Sequence, residues 1–256
     1  MPDLDLAGTA VLNTRPTQTA SELTEAVRTH GGRIVPFPVL EIIPRDAAAV
    51  QADAETLAAA DVTIFVSRNA AEFGCGFASG RIAAVGPATA SALEAKGVVV
   101  DILPEGGFDS EHLLKTPELI NAEGRSFRIV RGDAGRELLA DELSRRGGRV
   151  DYLSVYERRL PSYSDAELGE IADLFNNGEV DAIVVMSVNT LQNLDALIPA
   201  NCADAFHRTP LVTPAARVIK ELNKRGPDRP AALAASPRPD DILDAIATAT
   251  AEPRRT

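Results

Sequence analysis

Tryptophan is absent from the 256 residues, and aromatic side chains of every kind make up 4%. Stacking platforms for single-stranded nucleic acid need aromatics. A net charge of −11 is also the wrong sign for a nucleic-acid surface. No apolar run reaches the roughly 18 residues of a membrane span. The opening MPDLDLAG is acidic and lacks the basic stretch that begins a signal peptide, so a cytoplasmic protein is expected. The two cysteines, Cys75 and Cys202, stand in unrelated contexts without CxxC spacing. Buried reduced thiols are expected rather than a disulfide, as suits a reducing compartment. With three histidines and these two cysteines scattered, a zinc site has few ligands to draw on, and no metal is expected. There is no GxxxxGK[ST], no GxGxxG after a strand and no GxSxG elbow, and His30, His112 and His207 lie away from the strand ends. Walker-type nucleotide binding, a dinucleotide fold and a Ser-His-Asp hydrolase are therefore disfavoured.

What the chain does have is an ordinary globular composition, 45% hydrophobic and 25% charged, with length enough for two domains. It also repeats itself. GGRIVPFPVLEIIPR, from Gly31 to Arg45, returns as GGRVDYLSVYERRLP, from Gly147 to Pro161. At the same offset Leu23 falls on Leu139, Val27 on Leu143, Arg15 on Arg131 and Glu41 on Glu157, while Leu40 falls on Tyr156. Each copy reads strand, basic turn, amphipathic helix, double glycine, strand. The glycines are a helix-stop signal. The likeness continues with Ser67 over Ser187, Asn69 over Asn189 and Pro87 over Pro214. Short Val/Ile-rich runs alternating with amphipathic helices predict parallel sheets covered on both faces. The expected fold is α/β: two doubly wound parallel-sheet domains from an internal duplication.

In such sheets ligands bind beyond the carboxyl ends of the strands. The residues expected there are Arg15, Ser67, Arg68, Asn69, Gly86 to Thr89, Arg131 with Gly132, Ser187, Asn189 and Thr213. Ser67, Asn69, Ser187, Asn189 and Thr213 each have a plainer explanation as helix caps. An isolated arginine, likewise, is commonly just a solvated surface residue. Together these loops would present backbone N–H groups, positive helix ends and the charges of Arg15, Arg68 and Arg131, a receptor for carboxylates or phosphates. A cleft can be locally basic on an acidic protein. Asp133 and Glu137 look like paired carboxylates, but in a helix's first turn they suit the dipole better than catalysis.

The segments TAVLNTRP, FVSRNAAE (65–72), AVGPATASAL (84–93), IVRGDAGRELLADELSRRGGRV, VYERR (155–159) and the weaker SVNTLQNL (187–194), in this order and spacing, resemble the uroporphyrinogen-III synthase family over nearly the whole chain. The resemblance implies two flavodoxin-like domains joined by a two-stranded antiparallel linker that the chain crosses twice. Residues 1–38 with 160–256 would form the first domain and 42–154 the second. Residues 39–41 and 155–159 would be the crossing strands, so that each repeat is split across both domains. VTPAAR at the last strand, and SVNT near Ser187, depart from the family pattern, which leaves Thr213 and Arg217 without an assigned part. The tail AEPRRT is expected to carry no function.

The resemblance further implies a cofactor-independent cyclising lyase. Hydroxymethylbilane, a linear tetrapyrrole with eight carboxylates, loses its terminal hydroxyl. The last ring attacks at its substituted carbon, and the spiro intermediate reopens and recloses with that ring inverted, giving uroporphyrinogen III and water. Holding a flexible chain in one shape is the main task. Tyr156, at the hinge and facing the cleft, is the implied catalytic group, protonating or orienting the leaving hydroxyl; its alternative is a linker residue packed on a domain edge. Thr89 matches a threonine that the family places in the cleft and is otherwise a first-turn helix residue. Closure over substrate is expected of two lobes joined by two strands. The partner that the resemblance allows is transient, hydroxymethylbilane synthase; a monomer is expected, with no nucleic acid or membrane partner. Two other classes stay open: a non-catalytic two-lobed cytosolic binding module for a small polyanion, and a regulatory protein built on a degenerate synthase domain.

Overall fold

The structure, a computed structural model, describes residues 4–135, 137–225 and 229–251; most of the AEPRRT tail lies outside this range. Along the chain run β1 (Ala10–Asn13), α1 (Thr17–Thr29), β2 (Arg33–Pro36), β3 (Glu41–Pro44), α2 (Ala47–Thr56), β4 (Val62–Phe65), α3 (Arg68–Gly74), β5 (Arg81–Ala84), α4 (Pro87–Glu94), α5 (Ser110–Leu113), α6 (Pro117–Ile120) and β6 (Ser126–Gly132). Then follow α7 (Leu138–Arg145), β7 (Arg149–Arg159), α8 (Asp165–Asn176), β8 (Ala182–Val184), α9 (Val188–Leu197), α10 (Ala203–Arg208), β9 (Leu211–Thr213), α11 (Ala216–Arg225), β10 (Ala231–Leu233) and α12 (Pro239–Ala251). They fall into two compact units, Met1–Glu41 with Leu160–Thr256, and Ile42–Arg159.

The first unit holds a five-stranded sheet in the order β10-β9-β8-β1-β2, its ladders parallel. Successive strand residues point to opposite faces, and both faces are covered. Leu12, Ile183 and Leu211 enter one apolar core with Ile171, Phe175 and Phe206. Val11, Ala182, Val184 and Val212 enter another with Leu23, Val27, Leu243 and Ile246. That two-sided burial is why these strands read as unbroken apolar runs. Leu23 and Val27, one helical turn apart, are both fully buried.

The second unit's sheet has the order β3-β7-β6-β4-β5, and the β4–β5, β4–β6 and β6–β7 ladders are parallel. One face packs Val62, Ile64, Phe127 and Ile129 against Leu113, Leu119, Leu139 and Leu143. On the other, α3 comes so near that a Cβ on Gly74 would lie 2.5 Å from Val130 Cγ1, closer than side chains tolerate. Truncating a core leucine such as Leu143 to alanine would cost about 2–5 kcal/mol.

The double glycines end their helices in one way. Gly31 has φ 81° and Gly147 φ 82°, left-handed values that glycine adopts without a Cβ penalty. Gly32 N–H bonds Val27 O, and Gly148 N–H bonds Leu143 O, the six-to-one closure of a Schellman cap. Ser67, Ser187, Asp46 and Ser164 cap α3, α9, α2 and α8 by accepting a backbone N–H three residues on.

At the crossings, β3 is the sheet neighbour of β7. Residues 155–159 form no element of their own. They continue β7 without a break, and β7 lies inside the second unit's sheet between β3 and β6. Val39 and Leu40 precede β3, which starts at Glu41; Val39 is buried in the first unit's core. The cause is hydrogen bonding. The 155–159 segment keeps a backbone partner beyond β6, with Asp133 N–H bonding Tyr156 O, and on its other side Arg45 N–H bonds Val155 O. A strand so engaged stays part of the sheet.

Candidate active site

In the second unit the chain passes from β4 to β5 on one side and later to β6 on the other side of β4. Strand order therefore reverses between β4 and β6, and the loops that leave these strands part there. Such a switch point is where a crevice opens in a doubly wound sheet. The structure has a cavity of about 430 Å³ there, walled by Val66 and Ser67 after β4, Val85 after β5, Arg131, Gly132, Ala134 and Gly135 from β6 and its loop, Tyr156 and Arg158 of β7, and Phe108 to Ser110.

Tyr156 reaches this wall through a break in register. Arg131 pairs with Ser154, but Gly132 pairs with Tyr156, so β7 carries one extra residue here, the signature of a bulge that re-aims side chains. The ring lies against Gly132, where a Cβ would come within 2.6 Å of Cε2. Only glycine leaves room for it. The phenol oxygen stands 3.2 Å from Ser67 Oγ and accepts a hydrogen bond from Arg158 Nη2 at 3.0 Å. Phe73 packs beside the ring at 6.2 Å between centroids. The residue is 1% exposed. The family resemblance implied a tyrosine at a hinge, facing a cleft; its ring is a buried wall of the second unit's cavity.

Arg131 is buried at 7% exposure. Its guanidinium bonds Glu137 Oε1 at 3.0 Å and lies 4.5 Å over the Tyr152 ring, a cation–π contact. Gly135 makes room for it, since a Cβ there would sit 3.1 Å from Nη2. Tyr152 donates a hydrogen bond to the other Glu137 oxygen. That bond and the Arg131 contact hold the Glu137 carboxyl below its usual range. Burial, then Glu137, pushes the Tyr152 phenol up to about 12. Glu137 therefore serves as counter-ion to a cavity-wall arginine.

The remaining expected residues divide. Ser67 is both helix cap, accepting from Ala70 N–H at 3.0 Å, and partner of Tyr156. Arg68 is exposed and Asn69 half-buried at the start of α3, and neither lines this cavity. Thr89 is buried in the first turn of α4 and does not line it either. The first unit holds the others. Arg15 is 8% exposed, gives Nη2 to Pro237 O at 3.1 Å, and has its pKa lowered by burial; it is not the solvent-facing cation its position after β1 suggested. Ser187 caps α9 and meets Thr190 Oγ1 at 2.9 Å. Asn189 is exposed, and Thr213 is fully buried, its hydroxyl accepting from Ala215 N–H. Capping accounts for Ser187, and Thr213 closes a turn just before α11.

Most of the wall, including three polar or aromatic side chains, was not a candidate from the sequence. Arg158 is two residues past Tyr156 on the same strand, so the period of two was an available signal. Phe108 and Asp109 sit in the EGGFDS loop, whose chemistry only the fold brings to the strand ends. Both cysteines are unpaired thiols. Among the described residues no cluster of three His, Cys, Asp or Glu side chains is placed to hold a metal, and no helix is long and apolar enough to cross a membrane.

Known proteins resemble this chain in sequence and in fold. The family model for uroporphyrinogen-III synthase HemD matches residues 21–244. Uroporphyrinogen-III synthase of Escherichia coli is 32% identical over 204 residues, 74% of this chain and 80% of that protein. The Salmonella typhimurium protein of the same name is 31% identical over 200 residues, 74% and 80%. In fold, the chain is similar to a mutant uroporphyrinogen III synthase from Thermus thermophilus, with TM-score 0.58 and 18% identity over 94% of this chain and 98% of that one. It is similar also to uroporphyrinogen-III synthetase from Helicobacter pylori, with TM-score 0.59 and 12% identity over 92% and 97%. With the model match spanning most of its length, the chain belongs to the uroporphyrinogen-III synthase family.

Proposed function

We propose that this protein closes hydroxymethylbilane to uroporphyrinogen III with inversion of the last pyrrole ring and release of water, and that it needs no cofactor. The observation that carries the reading is a phenol on the wall of a cavity that two arginines also line: Arg158, bonded to the Tyr156 oxygen, and Arg131. Family membership supplies the reaction class.

The cavity lies within the ~300–1,000 Å³ range of small-molecule sites. A linear tetrapyrrole is larger, so the cavity takes the reacting end and one or two carboxylates. Arg131, already paired with a carboxylate in Glu137, is the carboxylate anchor, and a bidentate fork is the chemistry such an anchor needs. The Tyr156 hydroxyl points the leaving group. As the C–O bond breaks, its proton passes to the departing oxygen, which leaves as water. The carbon left behind is cationic and is attacked by the last ring. The ring carbon's proton, lost at the end, restores the phenol. Exclusion of water by the buried wall keeps the cation from being trapped.

A coupled assay tests this. Hydroxymethylbilane is generated in place, the protein is added, and the oxidised porphyrins are resolved into type I and type III. Type III product, reduced in Tyr156→Phe, is expected. Type I alone, at the spontaneous rate, would mean a binding module rather than a synthase.

A further inference from the structure

We propose that Arg158 is a positioning residue for Tyr156: it holds the phenol oxygen as an acceptor and so aims the single phenol proton into the cavity. The proposal rests on the reading above and assigns a part to a side chain that the reaction itself does not require.

Arg158 is anchored three times. Its backbone N–H meets Asp133 Oδ1 at 3.2 Å, Nη1 donates to Ala134 O at 2.9 Å, and Nη2 donates to Tyr156 Oη at 3.0 Å. Its guanidinium carbon lies 5.5 Å from the Tyr156 ring centroid. One planar fork thus ties the loop after β6 to the phenol. Two residues apart on a strand, Tyr156 and Arg158 share a face, which is why the fork can turn back.

The direction of the bonds follows from the groups. A guanidinium stays protonated and can only donate, so it occupies a lone pair of the phenol oxygen. The phenol has one proton to give. Its other neighbour is Ser67 Oγ at 3.2 Å, which already accepts from Ala70 N–H. That longer contact is readily exchanged for a substrate hydroxyl. A charged donor on the oxygen also polarises the O–H and strengthens it as a donor. If the proton leaves with the departing hydroxyl, the fixed positive charge faces the phenolate formed.

Arg159 provides the control. It follows directly, carries the same charge, and bonds Glu157 through Nε at 2.9 Å instead of Tyr156. Arg158→Met is expected to lower kcat for type III product on the order of tenfold, leaving KM within about twofold. Arg158→Lys, which cannot span Ala134 O and Tyr156 Oη together, should recover part of the loss. In a Tyr156→Phe background Arg158→Met should cost nothing more, and Arg159→Met should be silent throughout. An equal loss in both backgrounds, or a raised KM with unchanged kcat, overturns the proposal in favour of plain substrate binding. A second readout needs no turnover. With the ring Cζ of tyrosine labelled with carbon-13, the three tyrosines give three resonances. Arg158→Met should move the one that Tyr156→Phe removes, and Arg159→Met should not. A resonance that stays in place overturns the proposal even if type III product forms. A protein making only type I product sinks the synthase reading and leaves this resonance to decide the contact.

Discussion

Gly132 and Tyr156 are partners across the β6–β7 ladder, and the space a Cβ would need on Gly132 is filled by the tyrosine ring, 2.6 Å away. Gly132→Ala must therefore push the ring or the strand. The expected cost is about 1–3 kcal/mol of stability, read from urea unfolding, together with a marked fall in type III product. Adding Tyr156→Phe should leave the stability penalty in place, because the ring, and not the hydroxyl, is the obstacle. An alanine variant as stable as the parent would show that the ring has another place to go.

Arg131 and Arg68 separate wall from surface. Arg131 is buried on the cavity and Arg68 is exposed beyond it. Arg131→Ala should raise KM on the order of tenfold, as loss of a charged hydrogen bond does, while Arg68→Ala raises it less. Steady-state kinetics with substrate generated in place checks the order of the two effects; a larger effect at Arg68 would move the anchor off this wall.

Glu142 binds both Arg145 and Arg146, and these bonds lower its carboxyl to about 2. A carboxyl depressed by folding contributes stability above its unfolded value, ~4.3, and loses it as pH falls toward 2. Glu142→Gln should therefore be less stable than the parent at pH 7, with the gap closing below pH ~4 and shrinking in high salt, since Glu142 is only half-buried and its partner Arg145 is exposed. Thermal unfolding across pH and salt checks this; a gap unchanged at pH 2 contradicts it.

Tyr152 and Tyr163 are both pushed up to about 12 by burial, assisted by Glu137 in the first and by Glu167 and Glu41 in the second. Phenols raised above the ordinary ~10 favour the fold below pH ~10, and the benefit is lost as pH climbs toward 12. With no tryptophan among the 256 residues, tyrosinate absorbance reads these groups directly. At least two of the three phenols should stay protonated through pH ~10. Two ionising at the ordinary value would contradict the burial argument.

Helix and strand order, the glycine stops and the parallel, two-sided sheets were legible in the sequence. Local rules govern them: Leu23 and Val27 are one turn apart, and Gly31 and Gly147 take a conformation that other residues avoid. Caps such as Ser67 and Ser187 were legible for the same reason. The site was legible only in part. Arg131, Gly132, Ser67 and Tyr156 lie at strand ends or in the family motif, and they do meet at one cavity. Arg15 stands at a strand end too, yet its guanidinium turns inward to Pro237 O, 222 residues away in sequence, and no local pattern carries that distance.

The sequence by itself determined the elements, the double-glycine turns and the α/β class, because each depends on spacing along the chain, and its motifs carried the resemblance to the family. Tertiary structure alone decided that residues 155–159 stay in the second unit's sheet, that a one-residue bulge turns Tyr156 against Gly132, and that Arg158 reaches the phenol from one side while Ser67 reaches it from the other. Those outcomes depend on which backbone groups find partners across strands and which side chains then share the space. That competition is settled only when residues distant in the chain are brought within a few ångströms.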